Sequence, residues 1–188
     1  MNVEIIKAWM TNFNEKIQDN HEYLSQLDTE IGDGDHGNNM VRGMNATMTA
    51  INKDFPDNSS IFKAIAMALI SNVGGASGPL YGTVFLEMSK VTTDNLSDYL
   101  QAAVDGIKKR GQAEVGDKTM LDVWYPTAEI SKSRRYTPDD VVEAVNQTQP
   151  MEAKKGRASY LGERSVGHLD PGAVSTGYLL EALLEAMK

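Results

Sequence analysis

Apolar residues recur along most of the chain at steps of three and four. Ile5, Ile6, Trp9, Met10, Phe13 and Ile17 draw one stripe, and Met40, Met44, Thr47, Met48 and Ile51 draw another. Further stripes run through Ile61, Ile65, Ala68 and Leu69, through Val141, Val142 and Val145, and through Leu179, Leu180, Leu183, Leu184 and Met187. That spacing puts apolar side chains on one face of an α-helix, so each segment predicts an amphipathic helix. No segment alternates apolar and polar residues over the length of a strand. Start signals agree. Thr137-Pro138-Asp139-Asp140 sets a cap, a first-turn proline and two first-turn acids in order, and Asp170-Pro171 repeats the arrangement. Ser59 or Ser60 can cap the helix through Ile61, and Asn95 or Ser97 the helix through Leu100. The pattern predicts about eight helices, with breaks at 32–37, 55–58, 74–78, 92–95, 115–118, 132–137 and 156–167. No composition shift marks a boundary, so the expected fold is all-α, one domain over residues 1–188, an up-and-down bundle with short connections.

Composition narrows the function. The chain has 188 residues, 41% hydrophobic and 23% charged, which is enough for a packed core. Its net charge of −8 lacks the basic footprint that grips nucleic acid or an anionic membrane surface. An acidic chain that binds anions needs local donors or a bridging metal. The absence of cysteine removes disulfides, thiolate nucleophiles, iron–sulfur clusters and cysteine-based zinc sites. The N-terminus has no signal-peptide pattern, and the longest apolar stretch, 61–70, is too short to span a bilayer and holds Lys63. The expected location is the cytoplasm, with no membrane and no nucleic-acid partner.

The breaks between helices are unequal: four of them concentrate Gly, Asp, His and Arg. Alternate connections of an up-and-down bundle lie at one end, so four such loops sharing an end would build one site. The first runs Asp28-Thr29-Glu30-Ile31-Gly32-Asp33-Gly34-Asp35-His36-Gly37-Asn38-Asn39. Crowded carboxylates repel unless a cation neutralises them, and hard oxygen ligands suit Mg2+ or Ca2+. The ordinary alternative is a solvated acidic turn. Gly32, Gly34 and Gly37 spell a dinucleotide-binding pattern, but no strand precedes them and the intervening aspartates repel a bare pyrophosphate. An EF-hand fails because Asn38 and Met44 stand where Gly and Glu are required. No Walker A loop is present. The second loop, Gly74-Gly75-Ala76-Ser77-Gly78-Pro79-Leu80-Tyr81-Gly82, leaves backbone N–H groups bare at a helix start, which suits phosphate or simply close helix packing. In the third, Gly116-Asp117-Lys118-Thr119-Met120, Gly116 can let a flat ring approach and Met120 can pack on it; a glycine C-cap is the plain alternative. The fourth, 154–172, carries Lys154, Lys155, Arg157 and Arg164 and reads as a cationic lid or a charge-balancing surface loop. Together the four imply a Mg2+–nucleotide site, and phosphoryl transfer at such a site needs positioning and electrostatics rather than a nucleophile on this chain.

Asp28 through Asp33-Gly34-Asp35-His36-Gly37 to Asn39-Met40, with Gly74 to Gly82, Gly116 to Met120, Gly156-Arg157-Ala158-Ser159-Tyr160 and Asp170-Pro171-Gly172-Ala173, resembles the nucleotide-binding unit of dihydroxyacetone kinases nearly end to end. The resemblance implies an eight-helix antiparallel, barrel-like bundle with a tightly bound nucleotide, ADP or ATP, and a pair of Mg2+ ions in the loops at one end. It implies metal ligation by Asp28, Asp33 and Asp35. Phosphate contacts are implied from His36, Gly37, Asn38 and Asn39 and from Ala76 and Ser77, and adenine contacts from Gly116 and Met120. The closing loop is Asp170, Pro171 and Gly172, with Arg157 favoured over Arg164 as its cation. No acid–base residue is implied beyond the metal and nucleotide site. The chain length matches the stand-alone subunit of the phosphoenolpyruvate phosphotransferase-dependent enzyme. In that scheme a phosphohistidine protein phosphorylates bound ADP, and the γ-phosphoryl passes to dihydroxyacetone on a partner subunit, giving dihydroxyacetone phosphate. A homodimer is left open. The alternatives are a regulatory or kinase module of the same fold serving another acceptor, and a phosphohistidine carrier using His36 or His168.

Overall fold

The computed structural model describes all 188 residues and is helical throughout, with no strand. The helices are α1 (Val3–Ile31), α2 (His36–Ile51), α3 (Asn58–Asn72), α4 (Ser77–Met88), α5 (Leu96–Gly111), α6 (Leu121–Ser131), α7 (Pro138–Asn146) and α8 (Pro171–Ala186). A short 3-10 segment, Arg157–Ser165, breaks at Gly162 and lies between α7 and α8.

Short polar side chains start several of these helices by taking the backbone N–H groups that a first turn leaves unpaired. Asn2 accepts from the Ile5 N–H at 2.9 Å, and Asp170 from the Ala173 N–H at 2.8 Å. Thr137 and Asp140 form a reciprocal capping box behind Pro138. One expected cap differs, and another keeps its position without its bond. Asp57, not Ser59 or Ser60, caps α3, accepting from the Ser60 N–H at 2.7 Å; its carboxylate precedes both serines and reaches the third N–H. Asn95 occupies the α5 cap position without making a cap bond, and its amide turns to Asp98. Gly116 is not a C-cap either: α5 ends at Gly111, and Gln112 takes the left-handed conformation.

Each helix packs on the one before and the one after it, and α8 packs back against α1, so the ring of neighbours closes. Inside lie Trp9, Phe13, Phe62, Phe85 and Tyr99, with ring centroids of neighbouring pairs 5.4–6.5 Å apart. Burial of each such side chain contributes about 1.5–3 kcal/mol. Met10, Met40, Met44 and Met88 fill the gaps between them, while Met67, one step off its stripe, faces solvent. Two buried polar tips find partners across the ring. The Trp9 indole donates to the Leu179 carbonyl at 2.7 Å, and the Tyr136 hydroxyl to the Leu180 carbonyl at 2.9 Å, so α1 and the α6–α7 turn are both tied to α8. No helix is long and apolar enough to cross a membrane.

The alternation of direction has one consequence for function. Helices α1, α3 and α5 end, and α2, α4 and α6 begin, at the same end of the ring, and residues 147–170 lead α7 to α8 across that end. All four chemically loaded loops meet there.

Candidate functional site

A cavity of about 570 Å³ opens at that end, and residues from all four loops line it. On one side stand the three aspartates. Asp28 ends α1, and Gly34, with φ +76°, turns the chain so that Asp33 and Asp35 face back toward it. Carboxylate oxygens of Asp28, Asp33 and Asp35 lie within 4.8 Å of one another. The Asp28 carboxylate also accepts from the N–H of Asp35 at 2.9 Å and of His36 at 3.1 Å, so α1 caps α2. Asp33 is exposed, and its one charged partner is Arg157, at 3.0 Å. Three carboxylates against one guanidinium leave negative charge concentrated in a hard oxygen donor set, and Mg2+ fits such a set.

The starts of α2, α4 and α8 reach the same cavity through His36, Ser77 and Gly172. The N–H groups of Gly37 and Asn38 in α2, of Ser77 and Gly78 in α4, and of Gly172 in α8 find no acceptor within the chain. Open N–H groups and the positive ends of helix dipoles receive anionic oxygen. A buried polar network fixes these starts relative to one another. The His36 ring bridges Ser175 Oγ at 2.8 Å and Ser77 Oγ at 3.3 Å, and the Tyr81 hydroxyl contacts Ser175 Oγ at 2.7 Å and Thr176 Oγ1 at 3.2 Å. Burial pushes the His36 imidazole down to about 4, against the pull of Asp35, so the ring is neutral near pH 7. Burial raises the Tyr81 hydroxyl to about 12. A buried ring with both nitrogens engaged does not fit a phosphohistidine carrier.

The remaining wall is apolar and cationic. Leu80 and Met120 line it, with Arg110 at the end of α5 and Lys155, Gly156 and Arg157 from the segment between α7 and α8. Asp170 closes the floor. Burial raises its carboxyl to about 7; the Ala173 N–H and Lys118 oppose that shift, and Asp122 and Asp28 add to it. Lys118 is itself buried. Burial pulls its ammonium below the usual lysine range, and Asp170 works against that.

Of the residues singled out from the sequence, the cavity gathers Asp28, Asp33, Asp35, His36, Asn39, Ala76, Ser77, Met120, Arg157, Asp170, Pro171 and Gly172. Gly37, Asn38 and Gly116 lie outside its lining. Gly37 is pressed against α1, Asn38 faces solvent, and the Gly116 N–H is held by Asp122 at 2.5 Å. Arg157 reaches the cavity and Arg164 does not. Asn39 is fixed by Arg42, which donates to its Oδ1 at 2.7 Å and to the Asn72 carbonyl at 2.8 Å. Sequence reasoning missed Arg110, Lys118, Tyr81 and Ser175. Lys118 stood inside a quoted motif, but nothing in its spacing separates a buried lysine from a surface one. Ser175 is one helical turn past Pro171, and only the chain's closure brings it to His36.

The DAK2 domain model matches residues 30–185, and the chain belongs to that family. Two relatives cover it from end to end or nearly so. It is 49% identical, over 100% of its own length and 99% of theirs, to the ADP-binding subunit of the PTS-dependent dihydroxyacetone kinase of Lactococcus lactis. It is 40% identical, over 97% of its length and 96% of theirs, to the ADP-binding subunit of the PEP-dependent enzyme of Escherichia coli. The dihydroxyacetone kinase of C. freundii, solved with AMP-PNP and Mg2+, has the same fold at a TM-score of 0.74 and 22% identity; the match covers 97% of this chain and 33% of that one. The chain thus spans about a third of that kinase and nearly the whole of the stand-alone subunits.

Proposed function

We propose that this chain is the ADP-binding subunit of a phosphotransferase-dependent dihydroxyacetone kinase, acting in the cytoplasm, where nucleotide and Mg2+ are available. The observation that carries the reading is the meeting, in one cavity, of three carboxylates with the starts of α4 and α8, where the Ser77 and Gly172 N–H groups are open. Asp28, Asp33 and Asp35 hold Mg2+, in this reading a pair of ions, and so screen the acids from phosphate. The free N–H groups of Ser77 at the start of α4 and of Gly172 at the start of α8 take phosphate oxygens. Asn39 and the neutral His36 brace those turns, while Met120 and Leu80 offer an apolar wall to the base. Pro171 and Gly172, held by the Asp170 cap, close the floor, and Arg157 brings a cation over the acids.

When bound, the Mg2+–nucleotide supplies the phosphoryl relay, from a phosphohistidine donor protein to ADP and from ATP to dihydroxyacetone on a partner subunit. The chain's own part is electrostatic and geometric. Tight retention follows from the same parts, since metal ligands and a closing segment both oppose release.

Reconstitution tests this. The chain is mixed with the dihydroxyacetone-binding subunit and the phosphohistidine donor of the Lactococcus lactis system, and dihydroxyacetone phosphate is measured. Turnover is expected with no free nucleotide added. Turnover that needs excess ATP and ignores the donor would make the chain an exchanging kinase module, and transfer only to another acceptor would change the substrate. In the same assay Arg157→Ala is expected to lower the rate about 100-fold, the scale of one lost donor at a charged transition state, with helix content unchanged. Unchanged turnover would take Arg157 out of the transfer.

A further inference from the structure

We infer that Lys118 is a positioning residue for the phosphate end of the site: its buried ammonium gathers the base of the 149–168 segment so that the segment holds Arg157 against the acid cluster. This rests on the nucleotide-binding reading above and adds to it a residue that acts through Arg157.

The Lys118 side chain is 1% exposed. Its Nζ donates to the carbonyl oxygens of His168 at 2.6 Å, Ser165 at 2.8 Å and Met151 at 3.0 Å, and lies 3.4 Å from that of Gln149. An ammonium carries three donors, so these carbonyls use all of them. A buried charge is costly unless its hydrogen bonds are satisfied, and here backbone dipoles do that without any carboxylate in ion-pair contact. The acceptors span both limbs of one segment, so the ammonium draws them together. The backbone of Lys118 sits at φ +60°, in the left-handed region that non-glycine residues seldom adopt. A position that sets such a backbone around such a side chain is over-determined by its surroundings.

Other bonds close the same base. The Lys154 N–H donates to the Asp117 carbonyl at 3.0 Å, and the Gly167 N–H to the Gln149 carbonyl at 2.8 Å. The Ala153 N–H donates to Ser165 Oγ at 2.8 Å. Beyond the base, the segment's one ion pair with the helix ring is Arg157 to Asp33. Lys118 and Arg157 are therefore the two ends of one device, a clamp and a contact.

Lys118→Met keeps the length of the side chain and removes its charge and donors. Two readouts follow. In nucleotide-free protein, trypsin is expected to cut after Lys154, Lys155, Arg157 or Arg164 about tenfold faster, because cleavage tracks the open population of a segment. Mg2+–ADP is expected to dissociate about tenfold faster, the lower end of the effect of losing a supporting partner. In an Arg157→Ala background the same substitution is expected to change that rate less than about threefold, since coupled residues are not additive. An equal rate change in both backgrounds would reduce Lys118 to a general structural residue and overturn the proposal, as would unchanged cleavage of the segment in a folded variant. Should Lys118→Met fail to fold, Ser165→Ala carries both readouts, because the Ser165 hydroxyl ties Ala153 and Gly162 at the same base. A wild-type protein that retains no nucleotide sinks the nucleotide-binding reading, and the cleavage readout still decides for or against the clamp.

Discussion

Asp33→Ala is expected to abolish Mg2+-dependent retention of ADP while the helices stay folded. The three carboxylates are not equivalent. Asp28 caps α2 through two hydrogen bonds, so its loss would confuse metal binding with the geometry of a helix start. Asp33 is exposed, and Arg157 is its one ion-pair partner. A surface pair of that kind contributes about 0–1 kcal/mol to stability. Removing one hard ligand of a Mg2+ site costs far more in binding, because altering even the outer partners of metal ligands costs about 10–100-fold. The expected result is a loss of at least about 100-fold in Mg2+–ADP affinity with a melting temperature close to wild type. Equilibrium dialysis with labelled ADP and thermal melts in metal-free buffer measure the two sides. Retained tight ADP would overturn the metal assignment.

Gly37→Ala is expected to have the largest effect on stability. A Cβ at Gly37 would lie 1.8 Å from the backbone carbonyl oxygen of His21 and 2.7 Å from Ser25 Oγ. The serine can rotate, but the carbonyl belongs to the middle of α1 and cannot move without the helix. Overpacking of this kind costs about 3 kcal/mol or more, which lowers the melting temperature by roughly 6–12 °C in a domain of this size. Because α1 and α2 would separate where Asp28 caps α2, nucleotide retention should fall with it. A melting temperature within about 1 °C of wild type would show that α2 does not run so close to α1.

The two glycines of the first loop show what was legible in the sequence. Gly34 sits between acids at a break, so a turn was readable there, and its φ of +76° is that turn. For Gly37 the family resemblance implies a phosphate contact, and nothing in the sequence shows its packing. Its place against α1 depends on how two helices cross, and no spacing within one segment reports that. The same division runs through the rest. Stripes at three and four residues mark α1, α2, α3, α7 and α8, because that period is a property of each helix alone. The shared end of the four loops followed from alternating direction, and the cavity draws on all four. The cap of α3 lies at Asp57, two to three residues before the serines the sequence suggests, because several short polar residues compete for one start. The roles of Lys118 and Ser175 are not legible in the sequence. The partners that give them their roles lie 31 to 50 residues away for Lys118 and 94 to 139 for Ser175, brought close only by the tertiary fold.

The most direct test of a Mg2+–nucleotide site at this end of the ring needs no partner. The protein is purified in Mg2+ buffer, washed free of small molecules and denatured, and the released material is separated and identified. About one ADP per chain is expected, from the metal ligands and closing segment that oppose release. A protein that releases no nucleotide, and afterwards binds ADP no better in Mg2+ than in chelator, would contradict the account at its centre.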